Sequence, residues 1–243
     1  MPAMYSCDVV INLAGENIGK SRWTQRNKQA ILNSRINSVD ALAKLINQMP
    51  ELPGVWIQAS AIGFYGANTP MPVNETGANG EGFLANVVER WESALELKQL
   101  DGTRKVYLRL GIVLSPKGGF LKQMLDVTNF GVAICLGNGN QKLSWIHLYD
   151  LIEVIRISIE NNRYTGAINV VAPHAITCNN FSKLIKKYSR AVLILKIPSF
   201  IVRIIFGKEK ANEMLLANQE IIPEKLMENG YLYRYEHIEK VLQ

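Results

Sequence analysis

Val9-Val10-Ile11-Asn12-Leu13 is a short apolar run with almost no polar alternation, and it ends at once in Ala14-Gly15. Such a run suits a parallel strand covered on both faces, where both sides of the pleat must be apolar. Small residues at the carboxyl end of such a strand let another group approach the backbone, and open α/β sheets bind ligands at that edge. A buried strand ending in an ordinary turn would read the same way, so the strand end alone does not separate the two. The residues that follow narrow the fold. Ala30, Ile31, Val39, Leu42, Ala43 and Ile46 recur at helical spacing, which predicts a helix over about 24–48 with Thr24 as its cap and Pro50 and Pro53 beyond its end. Residues 55–60 read as a second strand running into Ala61-Ile62-Gly63-Phe64-Tyr65-Gly66, and 67–82 as a Pro-, Asn- and Gly-rich loop. Leu84, Val87, Val88, Trp91, Ala94 and Leu95 mark one face of a helix over about 83–99, and 106–114 is a third strand. Strand, helix, strand, helix, strand argues for parallel strands joined by right-handed crossovers.

The second half is less regular. Residues 118–129 are predicted helical, and 133–136 and 143–146 read as short strands around the turn Gly137-Asn138-Gly139-Asn140. Asp150 is expected to cap a helix over 151–159, with Glu153 completing a capping-box-like arrangement. Residues 167–171 are a strand stopped by Pro173, and the chain is mainly helical from Asn179 onward, including a short element over 221–229. The apolar stretch 191–206 is interrupted by Lys196, Pro198 and Arg203, so a buried or groove-lining helix is expected there and not a membrane span.

With 243 residues, 48% hydrophobic, the chain can bury the core of one sizeable domain, or of one domain with an appendage. A charged fraction of 20% fits neither a disordered chain nor a coiled coil. The net charge of +6 comes from scattered Lys and Arg, without the aromatic interleaving of a nucleic-acid surface, although a modest positive field favours a phosphate-bearing ligand. Cys7, Cys135 and Cys178 are odd in number and far apart, which argues against a disulfide framework and a zinc site. The first six residues carry neither the charged nor the apolar region of a signal peptide. An intracellular, cytoplasmic protein with a small-molecule substrate and no nucleic-acid or membrane partner is expected.

The segment Val9 to Ile18, followed by Arg22-Trp23 and Asn33-Ser34-Arg35, resembles the atypical extended short-chain dehydrogenase/reductases called epimerase family proteins, member 39U type. Arg109-Leu110-Gly111-Ile112-Val113-Leu114, Gly118-Gly119, Trp145-Ile146-His147, Ile221-Ile222-Pro223 and Gly230-Tyr231 match in order, so the resemblance covers nearly the whole chain. From about Ile197 it extends to the family's C-terminal helical, DUF1731-like region. It implies an α/β fold with a Rossmann-like doubly wound parallel sheet and a smaller, mostly helical C-terminal part. The implied division is a partial NAD(P)-binding domain over 1–130, a mixed substrate-side segment with a returning strand over 131–196, and a helical region over 197–243. It also implies NADP as cofactor, with NAD as the alternative, and an oxidoreductase or epimerase activity. Family members open with a strand, a glycine-rich turn, a helix and a second strand that hold the pyrophosphate. No Gly-x-x-Gly-x-x-Gly pattern occurs here, and Gly63/Gly66 and Gly137/Gly139 lack its spacing and setting. The expectation is therefore an N-terminally truncated member lacking the first strands of its sheet, on the order of 50 residues, with impaired cofactor binding. A missing N-terminus carrying a targeting signal would make the location mitochondrial.

The resemblance places Leu13, Ala14, Gly15, Arg35 and Val113 against the cofactor. Backbone at a strand end can lie along a dinucleotide, and a guanidinium at Arg35 can bind a phosphate or ribose; without the resemblance, Arg35 reads as a surface helix residue and Val113 as core. Ser60 and Tyr65 are the catalytic candidates, because extended short-chain reductases place a serine and a Tyr-Gly pair there, and such a serine can donate to a substrate carbonyl. The usual Tyr-x-x-x-Lys acid–base pair is absent: the helix reads Phe83-Leu84-Ala85-Asn86-Val87. That absence motivates the alternative of a non-catalytic dinucleotide-binding or regulatory protein on the same scaffold. His147 reads as pocket-lining or, more ordinarily, as a hydrogen-bonded structural residue. Glu16, Asn17 and Glu75 are polar loop residues near the expected ligand edge, His174 and His237 have no partner suggested by spacing, and no residue set has metal-ligand spacing.

Overall fold

The computed structural model describes residues 6–242, so the reading of the N-terminus as lacking a signal peptide falls mostly outside the described residues. The elements run β1 (Val9–Asn12), α1 (Gln25–Ile46), β2 (Val55–Ala61), α2 (Phe83–Glu96), β3 (Arg104–Leu110), β4 (Ile112–Ser115), α3 (Gly119–Thr128), β5 (Val132–Leu136), β6 (Lys142–Leu143), β7 (Trp145–His147), α4 (Leu148–Glu160), β8 (Gly166–Val170), β9 (Ile176–Thr177), α5 (Cys178–Lys187), β10 (Leu193–Ile197), α6 (Ser199–Phe206), α7 (Lys208–Lys210), α8 (Glu224–Glu228) and α9 (Glu239–Leu242). The central sheet is four-stranded and parallel, in the order β1-β2-β3-β8. Its two faces are covered by different helices, as a doubly wound sheet requires. Trp56, Ala59 and Tyr107 pack with Val39, Ala43 and Ile46 of α1 and Trp91 and Leu95 of α2. Val55, Ile57, Val106, Leu108 and Ile168 pack with Val154 of α4 and Leu226 of α8. β2 is thus buried on both sides, whereas the two-sided cover expected of the apolar run over 9–13 is not found: β1, at the edge of the described sheet, alternates, with Val10 and Asn12 buried and Ile11 46% exposed. Thr24 caps α1, its Oγ1 accepting from the Asn27 amide at 3.3 Å.

Four further expectations are corrected. The strand expected over 106–114 breaks at Gly111: Gly111 N donates to Val170 O at 3.2 Å, whereas Ile112 N donates to Ser144 O at 2.9 Å, so β4 leaves the sheet and pairs with β7. The strands around Gly137-Asn138-Gly139-Asn140 form no hairpin. Instead β5 pairs in parallel with β10, β6 pairs antiparallel with β9, and the two glycines turn the chain with φ of 65° and 81°. The stretch 191–206 is a strand, then Pro198, then helix α6, because five of its residues find a ladder partner in β5 that local periodicity cannot reveal. Finally, Asp150 does not cap α4. The cap is His147, whose Nδ1 accepts from the Tyr149 amide at 3.1 Å.

Asp150 is instead fully buried, and its carboxylate accepts from Tyr231 Oη at 3.0 Å, Arg234 N at 2.9 Å and Tyr235 N at 3.0 Å. It pins the C-terminal segment to α4. Asp150→Asn turns one acceptor oxygen into a donor facing one of these N–H or O–H groups, so a loss of about 1–2 kcal/mol in unfolding free energy is expected in urea titrations. A variant as stable as the parent would deny Asp150 this pinning role.

Cys135 and Cys178, far apart in sequence, lie with their Sγ atoms 3.9 Å apart as buried free thiols. Among the described residues, no helix is long and apolar enough to cross a membrane.

Candidate functional site

A cleft of about 450 Å³ opens where β1, β2 and the β3–β4 junction end. Leu13, Ala14, Gly15, Arg35, Ser60 and Val113 all line it, joined by Ala61, Ile62, Gly63, Leu110 and Gly111. Tyr65 does not belong to this lining.

The β1 end is shaped by Asn12, which is buried within a polar cluster. Its Nδ2 donates to Ser38 Oγ at 3.1 Å and Gln58 Oε1 at 3.0 Å, while its Oδ1 accepts from Ala14 N at 3.1 Å. This side-chain-to-backbone turn ends the strand and leaves Leu13 59% exposed at the cleft. Gly15 then passes the Arg35 guanidinium so closely that a Cβ would lie 3.0 Å from Arg35 Cζ. Arg35 Nη1 donates to Glu16 O at 3.1 Å and Ile31 O at 2.9 Å, and the guanidinium stands 4.9 Å from the Trp91 ring centre. Burial lowers the Arg35 pKa and Glu16 opposes that, and an arginine stays charged through such a change.

Ser60 is the cleft-facing end of a buried polar chain. Its Oγ donates to Glu92 Oε1 at 2.5 Å, and Glu92 forms a bidentate pair with Arg109 through Nε at 2.9 Å and Nη2 at 2.8 Å. Arg109 Nη1 donates to Tyr65 Oη at 2.9 Å, and Tyr65 donates in turn to Asn169 Oδ1 at 2.7 Å. The Arg109 guanidinium also lies 3.5 Å over the Phe64 ring. Burial pushes the Tyr65 phenol up, against the pull of Arg109. With its proton directed at Glu92, Ser60 Oγ offers acceptor capacity to a group in the cleft. Glu75 continues the cluster: Oε1 accepts from Asn169 N at 3.0 Å and Lys225 N at 3.3 Å, Oε2 is buried without a hydrogen-bond partner, and burial raises the carboxyl pKa.

The N-terminus of α2 meets the cleft at Leu84, where Phe83 N and Leu84 N donate to Glu213 Oε1 at 3.0 Å and Oε2 at 2.8 Å. A carboxylate brought in from the C-terminal segment therefore occupies the place where a helix could hold a phosphate. Beyond it the cleft is closed by Phe120, Met124, Ile134, Leu136, Leu143, Cys178, Phe181, Met214 and Leu215. The strand-end side fits part of a dinucleotide: small residues, exposed backbone and one cation. Among the described residues, no glycine-rich helix N-terminus lines it.

Sequence reasoning missed Asn12, Glu92, Arg109 and Glu213. Arg109 carried a usable signal, because a charged residue inside an otherwise apolar covered strand must find a partner. Glu213 carried none, since its role depends on a contact across about 130 residues of chain. His147 lies outside the cleft lining and serves as a helix cap. His174, Glu236 and His237, which showed no spacing in sequence, come together on the surface with ligand atoms within 4.8 Å of one another.

The NAD dependent epimerase/dehydratase family matches residues 1–171, and DUF1731, a domain of unknown function, matches residues 197–243. The human epimerase family protein SDR39U1 is 32% identical over 241 residues, spanning 98% of this chain and 82% of that protein. The Bacillus subtilis epimerase family protein YfhF is 35% identical over 236 residues, spanning 97% of this chain and 77% of that protein. The crystal structure of human SDR39U1 (isoform 2) with NADPH superposes with a TM-score of 0.90, covering 99% of this chain and 82% of that one. The doubly wound sheet is thus Rossmann-like, and the chain belongs to the NAD dependent epimerase/dehydratase family, with a DUF1731 region after it, and is similar to the epimerase family proteins.

Proposed function

We propose that this chain is a nicotinamide-dinucleotide-dependent oxidoreductase or epimerase acting on a small molecule, with NADP(H) at the β1–β2 side of the cleft. The observation that carries the reading is the convergence of Leu13, Ala14, Gly15, Arg35, Ser60 and Val113 on one cleft at the carboxyl edge of a parallel sheet. NADPH is the ligand in the structure of the human relative. The dinucleotide, when bound, supplies a hydride donor or acceptor. Arg35 offsets phosphate charge, and the backbone of Leu13 to Gly15 and Val113 gives a flat wall. Ser60 faces the reacting end as a hydrogen-bond partner. Tyr65 acts on it indirectly, holding Arg109, which holds Glu92, which holds the Ser60 proton. The segment 197–243 contributes Glu213, Met214, Leu215 and Gln219 to the wall, which supports a substrate-side role for it. An intracellular, reducing setting without nucleic-acid or membrane partners belongs to the same reading, supported by the scattered cations and by Cys135 and Cys178 standing as free thiols.

Because Arg35 and strand-end backbone carry the dinucleotide here, a Kd for NADPH weaker than micromolar is expected by isothermal titration, and Arg35→Ala should weaken it by about tenfold more. Micromolar binding indifferent to Arg35→Ala would overturn both the expected impairment and the role of Arg35. A second reading, a non-catalytic dinucleotide binder, is favoured by the Ser60 proton being held by Glu92 and by Phe83 and Val87 at the acid–base positions. NADPH binding with no NADPH consumption by any carbonyl compound would support it. Consumption that falls in Ser60→Ala would remove it.

A further inference from the structure

We infer that the inner end of the cleft takes an uncharged molecule with an apolar body, and not a nucleoside-diphosphate sugar. This deepens the proposed function, resting on it only for assigning the strand-end side to the dinucleotide. The inner wall is built by Phe120, Met124, Ile134, Leu143, Phe181 and Leu215, with the Phe120 and Phe181 rings stacked at 5.7 Å.

Its polar groups are already matched within the protein. Ser144 Oγ donates to Gln219 O at 3.0 Å and accepts from Ile221 N at 2.9 Å. Gln219 Nε2 donates to Ile62 O at 3.0 Å and Gly66 O at 2.6 Å. Both Glu213 oxygens are taken by the amides that open α2. Besides Arg35, the cleft has one lining cation among the described residues, Lys142, and its Nζ lies 3.3 Å from Glu220 Oε1. A diphosphate entering here would lose its hydration, find no free counter-charge and face the Glu213 carboxylate. An apolar body would meet a wall of its own kind, and the hydrophobic effect would favour it. Charge therefore selects the occupant: the walls accept apolar surface and offer an anion nothing.

The test is a fluorescence titration of the purified chain with Nile red, a neutral apolar dye, followed by competition with 2-decanone and with UDP-glucose. Saturable binding is expected, displaced by 2-decanone and indifferent to UDP-glucose. Met124→Glu puts a carboxylate into the half-buried wall and should weaken binding by about tenfold. Ile204→Glu alters the exposed apolar face of α6 and should change nothing. Circular dichroism checks that both variants fold, and a refolded Leu143→Lys replaces Met124→Glu should that variant fail. Binding lost in Ile204→Glu but kept in Met124→Glu overturns the inference. So does UDP-glucose binding that disappears in Lys142→Ala. NADPH is titrated separately, so that absent NADPH binding with intact Nile red binding strikes the dinucleotide reading alone.

Discussion

Arg109→Ala is expected to lower the unfolding free energy by about 3–5 kcal/mol, the cost of breaking a buried ion pair from one side. Arg109 and Glu92 side chains are only 6% and 14% exposed, and their bidentate contact is near-ideal at 2.8 and 2.9 Å. Removing the guanidinium leaves Glu92 charged in apolar surroundings. It also leaves Tyr65 without the donor at 2.9 Å and Phe64 without the cation over its ring. The pair is not needed for stability as such, because two buried charges cost desolvation that their attraction only partly offsets. The double variant Arg109→Met with Glu92→Leu should therefore recover much of the loss, while still freeing the Ser60 proton. Urea unfolding of the parent, the single and the double variants closes the cycle. A single-variant loss under about 1 kcal/mol would show that the network does not stabilise this edge of the sheet.

Gly111→Ala is expected to cost about 3 kcal/mol, at the upper end of overpacking penalties. A Cβ at this position would meet Val171 Cγ1 at 2.6 Å and the Ser144 carbonyl oxygen at 2.7 Å. Neither neighbour can yield cheaply. Val171 is buried and β-branched, and the Ser144 carbonyl accepts from Ile112 N at 2.9 Å in the link that starts β4. Relief would come from moving the β3–β4 junction, and Leu110, Gly111, Ile112 and Val113 all line the cleft. The same variant should thus weaken ligand binding as well as stability. Gly118→Ala is the control: its backbone is extended at φ −173° and nothing lies within 4 Å of the added carbon, so no loss is expected. Equal unfolding midpoints for the two variants would show that the junction is not tightly packed.

Much of the first half was legible from the chain. The start of α1 follows from Thr24 before a helical period, and 55–60 is a strand as read, but the unalternating run of β1 misleads, since Ile11 is 46% exposed at the edge of the described sheet. Leu13, Ala14, Gly15, Ser60 and Val113 come to one cleft because the strand ends share an edge, and Arg35 joins them because its side chain reaches from the middle of α1 to Gly15 and Glu16. The later readings failed where one stretch of sequence admits two local structures. Residues 193–197 suit a helix or a strand, and only β5 decides. Asp150 has the type and spacing of a cap, yet its acceptors serve backbone about 84 residues away. The partner of Ser60 was equally hidden, since Glu92 looks like one more polar residue on an amphipathic helix until Arg109 is placed opposite it.

The layered parallel architecture, the family and the strand ends that form the cleft are legible in the chain, because periodicity, caps and small residues act within a few residues of one another. The tertiary structure alone decided the break at Gly111, the Glu213 carboxylate on the N-terminus of α2 and the polar chain from Ser60 to Asn169. Each of these depends on burial and on a partner distant in the chain, and buried charge and steric contact act through space.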